Sequence, residues 1–381
     1  MASEARDQVD ISAVVKAAAD AADSVDREAR FPSEAVDLMR AAKLLSTALP
    51  VDLGGQGTSV TELAAMCRSL GAACSSTAMI FAMHHIQALC LTHFAREGAI
   101  ADLTREIARS EALLASATTE ITTGGDVRSS TCAIEIDGGN VRLEKNAPVI
   151  SYGQYADYIF TTARRSADSP SSDQVLVVCP KGQTELEPTT NWDTLGFRGT
   201  CSPGFILRTT TPATNVIPTD YGTLSGHTML PTSHILWSSV WLGMADAAVE
   251  KARGQVRAAA RKTPGSVPPQ AARFADLLVV HQAFESSVAT EIRRYEEFLA
   301  SGDPDPTVGF AIAMNNLKLN SSTAVVDVVT GALALVGISG YREDHKATMG
   351  RLIRDCFGPQ LMVSNERIRA NNSQLVLAYR S

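Results

Sequence analysis

The hydrophobic period along this chain changes twice, and that ordering limits the fold more than any single motif does. From residue 12 apolar side chains recur at helical spacing, as in Val14, Val15, Ala18, Ala22 and Val25. Near Ala115 the period drops to two. Cys132-Ala133-Ile134-Glu135-Ile136 alternates, Asp137-Gly138-Gly139-Asn140 turns, and Val141-Arg142-Leu143-Glu144 continues, a hairpin pattern. Tyr158–Thr162 and Val175–Val178 read as further strands, and turn-bounded strand runs on to about Ile217. From about Ser233 the helical period returns and lasts to the end. The expectation is an α+β chain in three parts: helical over 1–114, β over 115–225, and a helical bundle over 226–381.

Punctuation residues divide these parts further. Pro32 suits a helix start, and Ser75 or Ser76 suits the cap of a helix running from residue 76 to 96. The run Lys262-Thr263-Pro264-Gly265-Ser266-Val267-Pro268-Pro269 separates two helices, and Ser301-Gly302-Asp303-Pro304-Asp305-Pro306 separates two more. The long helix over 307–337 suits a bundle.

Composition narrows the classes of function. Of 381 residues, 45% are hydrophobic and 20% charged, enough apolar material for a large core. That excludes a disordered chain, a coiled coil and a small disulfide scaffold. The net charge of −7, with no polybasic run, argues against nucleic acid or a membrane surface as partner. The polar, acidic start Met1-Ala2-Ser3-Glu4-Ala5-Arg6-Asp7 has no apolar leader. The apolar stretch Ala78–Leu91 is short and broken by His84, His85 and Gln87, so a soluble, cytoplasmic protein is expected. The seven cysteines form no CxxC and read as reduced, mostly buried thiols; only Cys201, in a glycine-rich loop, is open to reactivity. No metal site is expected, since the Cys90 and His93 spacing has no second pair. Phosphate-loop, dinucleotide, zinc-protease and nucleophile-elbow motifs do not occur.

Several strings, taken in order, resemble the acyl-CoA dehydrogenase superfamily. Leu49-Pro50-Val51-Asp52-Leu53-Gly54-Gly55-Gln56-Gly57 is similar to that family's proline-to-glycine turn. Thr118-Thr119-Glu120 with Gly124-Gly125-Asp126 resembles its Thr-Glu-Pro-Gly-Ala-Gly-Ser-Asp loop. Ile150-Ser151-Tyr152-Gly153-Gln154-Tyr155-Ala156-Asp157 resembles Ile-Thr-Asn-Gly-x-x-Ala-Asp, and Gly196-Phe197-Arg198-Gly199-Thr200-Cys201-Ser202 resembles Gly-Met-Arg-Gly-Thr-x-Ser. Gly337-Ile338-Ser339-Gly340-Tyr341, then Arg351 and Arg354-Asp355, resembles the end of the pattern. The resemblance covers about residues 30–370. It implies an N-terminal helical domain, a middle β-barrel-like domain and a C-terminal four-helix bundle. It also implies a flavin, normally FAD, between the β-domain and the bundle, and a homodimer or homotetramer.

The resemblance assigns cofactor contacts to Thr118, Thr119, Ile150, Ser151, Gly337 and Asn365, and substrate contacts to His84, Gly125 and Arg198. It implies α,β-dehydrogenation of an acyl thioester, linked to CoA or to a carrier protein, by an FAD-dependent oxidoreductase acting on CH–CH groups. Its electrons would pass to an electron-transfer partner. The usual base is a Glu, and counting from Arg354-Asp355 that position is Val363, which cannot take a proton. His234 and, three residues past the gap, Glu366 are the candidate replacements. Two alternatives stay open: a two-component monooxygenase using O₂ and flavin from a separate reductase, and a non-catalytic binding protein. Two cofactor-clamping motifs are also replaced, by Arg261-Lys262-Thr263-Pro264-Gly265 and by Ala334-Leu335-Val336-Gly337-Ile338.

Overall fold

The helical stretch expected at the N-terminus is two helices, because Ala29 turns left-handed (φ 50°) and Pro32 follows. The computed structural model describes residues 10–122, 126–262 and 264–379. Its first part holds α1 (Ser12–Glu28), α2 (Ser33–Ala41), α3 (Val60–Ala73), α4 (Ser75–Phe94) and α5 (Gly98–Ser110). A reciprocal capping box between Ser59 and Glu62 starts α3. The cap expected at Ser75 or Ser76 is absent: Cys74 occupies the cap position with no side-chain bond, and the Ser75 hydroxyl donates to Asp355 in the bundle instead. α4 is buried around almost its whole circumference, as a central helix must be when it is apolar on every face.

The strands follow: β1 (Leu114–Ala117), β2 (Glu135–Asp137), β3 (Asn140–Ala147), β4 (Tyr158–Arg164), β5 (Gln174–Pro180), β6 (Thr184–Pro188) and β7 (Phe205–Pro212). They form two sheets. One has the order β1-β4-β5, with β1 parallel to β4; the other is antiparallel in the order β2-β3-β7-β6. The expected hairpin is β2–β3, closed by Gly138 and Gly139 at φ 56° and 86°, values that a two-residue turn of this hand requires. β3 alternates exposed and buried residues along its full length, which puts Lys145 inside.

After α6 (Tyr221–Leu224) a π turn over Ser225–Met229 leads into α7 (Leu230–Lys262). Then come α8 (Gln270–Ser301), α9 (Val308–Val336), α10 (Ile338–Tyr341), α11 (Gly350–Cys356) and α12 (Asn365–Leu375). The three long helices pack on one another, and α3 and α4 close against α7. Contact between α3 and α7 depends on two glycines. A Cβ at Gly243 would lie 2.0 Å from the Arg68 carbonyl oxygen, and one at Gly71 would lie 2.3 Å from that of Val240.

Candidate functional site

The candidate site forms where two loops of the strand region meet the C-terminal segment. The first loop carries Ile150 and Ser151, and the second runs from Leu195 to Ser202. They are sewn together by the Tyr152 N–H, which donates to the carbonyls of Thr200 (2.8 Å) and Cys201 (3.1 Å), and by the Ile150 N–H, which donates to Pro203 (3.0 Å). Tyr152, Phe197 and Cys201 all sit at positive φ, between 43° and 50°, without being glycine. Backbone of this kind is costly and clusters at functional sites. Both loops are held from behind, for Tyr152 Oη donates to the Leu114 carbonyl at 2.8 Å, and Arg198 bonds Asp26 O, Asp193 and Thr194 O.

The second loop touches the bundle directly. Buried Asp355 on α11 accepts the Phe197 N–H at 2.7 Å together with the Ser75 hydroxyl. A Cβ on Gly196 would lie 2.5 Å from the Arg354 carbonyl oxygen, and one on Gly358 would lie 2.7 Å from the Phe197 ring. Beyond Gly358 the chain bends through Val363, which is at φ 48°, a marked outlier for a β-branched residue. Lys318 of α9 explains how the bend is held. Its ammonium is fully buried and donates to the Val363 carbonyl (2.7 Å) and to Asn365 Oδ1 (2.6 Å). Asn365 also exchanges hydrogen bonds with Ser322. Burial, with a smaller contribution from Arg369, pulls the Lys318 pKa down to about 7.

His234 lies one turn from this knot. Its Nδ1 is 2.9 Å from the Met314 carbonyl, four residues before Lys318 on α9. A carbonyl only accepts, so Nδ1 carries the proton and Nε2 keeps its lone pair. Burial lowers the pKa to about 4, so the ring is neutral at physiological pH. Glu366 is placed otherwise: it points to solvent, 81% exposed, and pairs with Arg369 at 2.5 Å.

The remaining expected residues divide clearly. Ser151, on the first loop, and Thr119, just after β1, are both partly exposed, and the Thr118 carbonyl accepts from the Thr162 hydroxyl at 3.5 Å. Ile150 is fully buried with its amide engaged, and both ends of the Asn365 amide are engaged inside the protein. Gly337 is exposed at the end of α9 with φ 69° and open space beside it. His84 is a structural link, since its Nε2 donates to Leu45 O (2.6 Å) and its Nδ1 accepts from the Leu114 N–H (3.1 Å). Arg198 faces into the protein as a loop clamp, and Gly125 lies outside the described residues. Cys201 stays a protonated thiol, its pKa pushed up to about 11 by burial. Among the described residues no cluster of three His, Cys, Asp or Glu is placed to hold a metal.

Two functional groups escaped the sequence reading. The first is Lys318, one of only two charged residues in the apolar helix α9, and that isolation was its signal. The second is the pair Glu120 and Lys145, buried and 2.8 Å apart. Glu120 also accepts from Ser130, Thr131 and Cys132, so the loop after Thr119 is pinned by its own carboxylate. Burial alone would raise the Glu120 pKa, but the Lys145 charge and these bonds outweigh it and hold it near 2.

The sequence profile of the acyl-CoA dehydrogenase N-terminal domain matches residues 4–111. The chain is 27% identical over 350 residues to the cyclohex-1-ene-1-carbonyl-CoA dehydrogenase of Geobacter metallireducens, covering 90% of this chain and 89% of that one. In fold it matches the nitrososynthase of Micromonospora carbonacea var. africana with a TM-score of 0.82 at 22% identity, over 97% of this chain and 96% of the other. It matches FMN-bound TdsC of Paenibacillus sp. A11-2 with a TM-score of 0.81 at 16% identity, over 97% of each chain.

Proposed function

From its place in the acyl-CoA dehydrogenase superfamily, we propose that this chain is a soluble flavin-dependent oxygenase that uses reduced flavin and O₂, rather than a dehydrogenase of acyl thioesters. One observation carries the choice. At the position of the superfamily's usual base stands Val363, on a left-handed bend whose carbonyl is bonded to Lys318, and the segment 357–365 contains no carboxylate. Removal of an α-proton needs a base. Glu366 is on the surface, and His234, with a pKa near 4, is a weak base.

The residues at the junction suit a flavin ring. Ser151 and Thr119 offer partly exposed hydroxyls. Val149, next to Ile150 in the chain, and Leu361 and Val363 on the bend are exposed apolar side chains, by 39%, 78% and 40%, of the kind a planar ring covers. When bound, the flavin supplies redox chemistry that no side chain of this protein can supply. Ser151 and Thr119 would be the residues to hydrogen-bond such a ring, and Lys318 holds the Val363 bend in place. The superfamily's adenosine-side motifs are replaced in the sequence by Arg261-Lys262-Thr263-Pro264-Gly265 and Ala334-Leu335-Val336-Gly337-Ile338, so this reading does not require the adenosine half of FAD. A separate reductase delivering reduced flavin is the partner this reading requires.

A second reading, α,β-dehydrogenation with His234 as the base, is favoured by the likeness to a CoA-ester dehydrogenase over nine-tenths of the chain. The two readings separate under anaerobic conditions. Protein loaded with oxidised flavin and mixed with a panel of acyl thioesters should keep its yellow colour. Bleaching that is lost in His234→Ala would establish dehydrogenation and overturn the proposal.

A further inference from the structure

Six aromatic rings meet where α4, the π turn, α8 and α9 come together, and two of the six are imidazoles. His227 sits in the π turn over Ser225–Met229, a rare backbone form that is frequent at functional sites. Its ring packs edge-to-face with His93 (5.3 Å between ring centres) and Phe94 (5.3 Å) at the end of α4, and with Phe298 (5.0 Å) near the end of α8. Phe298 continues the cluster to Phe310 on α9 (4.9 Å) and to Tyr295 (6.3 Å). These rings fasten the π turn, and with it the start of α7, to the end of α4.

Such packing is favourable while the rings carry no charge, and the two imidazoles are the members that can gain one. His93 Nε2 is buried with no hydrogen-bond partner. In a neutral ring that nitrogen can be a bare lone pair, with the single proton on Nδ1. A charged ring carries N–H on both nitrogens, and the Nε2 proton is then buried without an acceptor. The charges that act on His93 are Arg96, itself paired with Asp52 at 3.0 Å, and His227; both oppose a positive ring. Burial, with these two behind it, lowers the His93 pKa to about 4. His227 Nδ1 is 2.8 Å from the Thr228 hydroxyl. Burial lowers the His227 pKa as well, against the pull of the Asp305 carboxylate. The other titratable groups of this region, Cys90 of α4, Tyr221 of α6 and Tyr295 of α8, are held uncharged by burial.

We propose that His93 and His227 make this ring cluster an acid-sensitive latch, which holds the π turn and the start of α7 against the end of α4 while both imidazoles are neutral and lets go as they gain protons. Once the junction opens, both rings titrate near the ordinary value of about 6.5. As pH falls from there towards about 4, the opened form holds protons that the closed form refuses, so opening is favoured. Each imidazole enlarges the opening equilibrium by up to about tenfold per pH unit within its window. The latch rests on packing alone and does not depend on the flavin reading.

The test is hydrogen exchange of the full chain, read by mass spectrometry from about pH 7.5 down to about pH 4.5 and corrected for the intrinsic exchange rate. The peptides to follow span residues 90–96 and 225–232. The variants are His93→Phe, His227→Phe and the double variant, which keep a ring and remove its titration. In the wild type both peptides should open progressively as pH falls, and in the double variant that dependence should be lost. His84, His85 and His234 are common to all four proteins, so their titration cancels in the comparison. A wild type whose opening does not change with pH, or a double variant that opens with the wild-type dependence, overturns the proposal. Should His93→Phe not fold, His93→Gln keeps an uncharged polar side chain and must show the same loss of pH dependence.

Discussion

At the scale of single residues, the site is organised by buried polar groups, Asp355, Lys318 and Asn365. Among the described residues the Lys318 ammonium has no carboxylate partner and donates to the Val363 carbonyl and Asn365 Oδ1. Its charge is tolerated because those oxygens replace water, and burial still lowers its pKa to about 7 from the ordinary 10.5. The consequence for stability has a definite sign. Between those two values the unfolded chain holds the proton and the folded chain releases it, so the Lys318 contribution rises with pH through that window and is lost as pH falls through about 7. Lys318→Met removes the titration. Urea unfolding at pH values on both sides of the window should show the wild type gaining stability relative to the variant as pH rises. A constant difference would show that Lys318 keeps its proton when folded. None of this was legible beyond the bare presence of one lysine in an apolar helix, because burial and partners come from contacts between distant segments.

At the scale of elements, much of the chain could be read directly. The hairpin β2–β3 follows from period-two alternation around Asp137-Gly138-Gly139-Asn140, and α9 follows from its long apolar pattern. The cap of α4 was misread because Ser75 looks the same whether it caps its own helix or reaches across to Asp355. The close packing of α3 on α7 was invisible for a related reason, since a glycine within a helix shows nothing of the backbone that faces it. Gly243→Ala would force a Cβ to within 2.0 Å of a carbonyl oxygen. Overpacking of that kind costs about 1–3 kcal/mol, and urea unfolding should show such a loss. Gly254→Ala, on the same helix but with nothing within 4 Å of its Cβ, should instead gain up to ~1 kcal/mol from helix propensity. Equal behaviour of the two variants would contradict the close approach of α3 and α7.

At the scale of the whole molecule, the α, β, α order and the scattered glycine-rich strings were enough to point to the fold and to the superfamily whose N-terminal domain profile matches residues 4–111. They brought Ile150–Ser151 and the loop through Ser202 to one place. They did not place Glu366, which sits three residues past Val363 but turns outward because α12 begins between them and Asn315 on α9 bonds Asn371 and Asn372 to seat that helix. The bend carries no carboxylate, since residues 357–365 hold neither Asp nor Glu, and this is the basis of the proposed oxygen chemistry. The most direct test is to bind reduced FMN or FAD to the protein without oxygen, admit O₂, and follow the return of the yellow oxidised flavin and the release of hydrogen peroxide. On the oxygenase account both are markedly slower than for free reduced flavin in the same buffer. If bound flavin reoxidises and releases peroxide as fast as free flavin does, the account of this site as an oxygenase is contradicted.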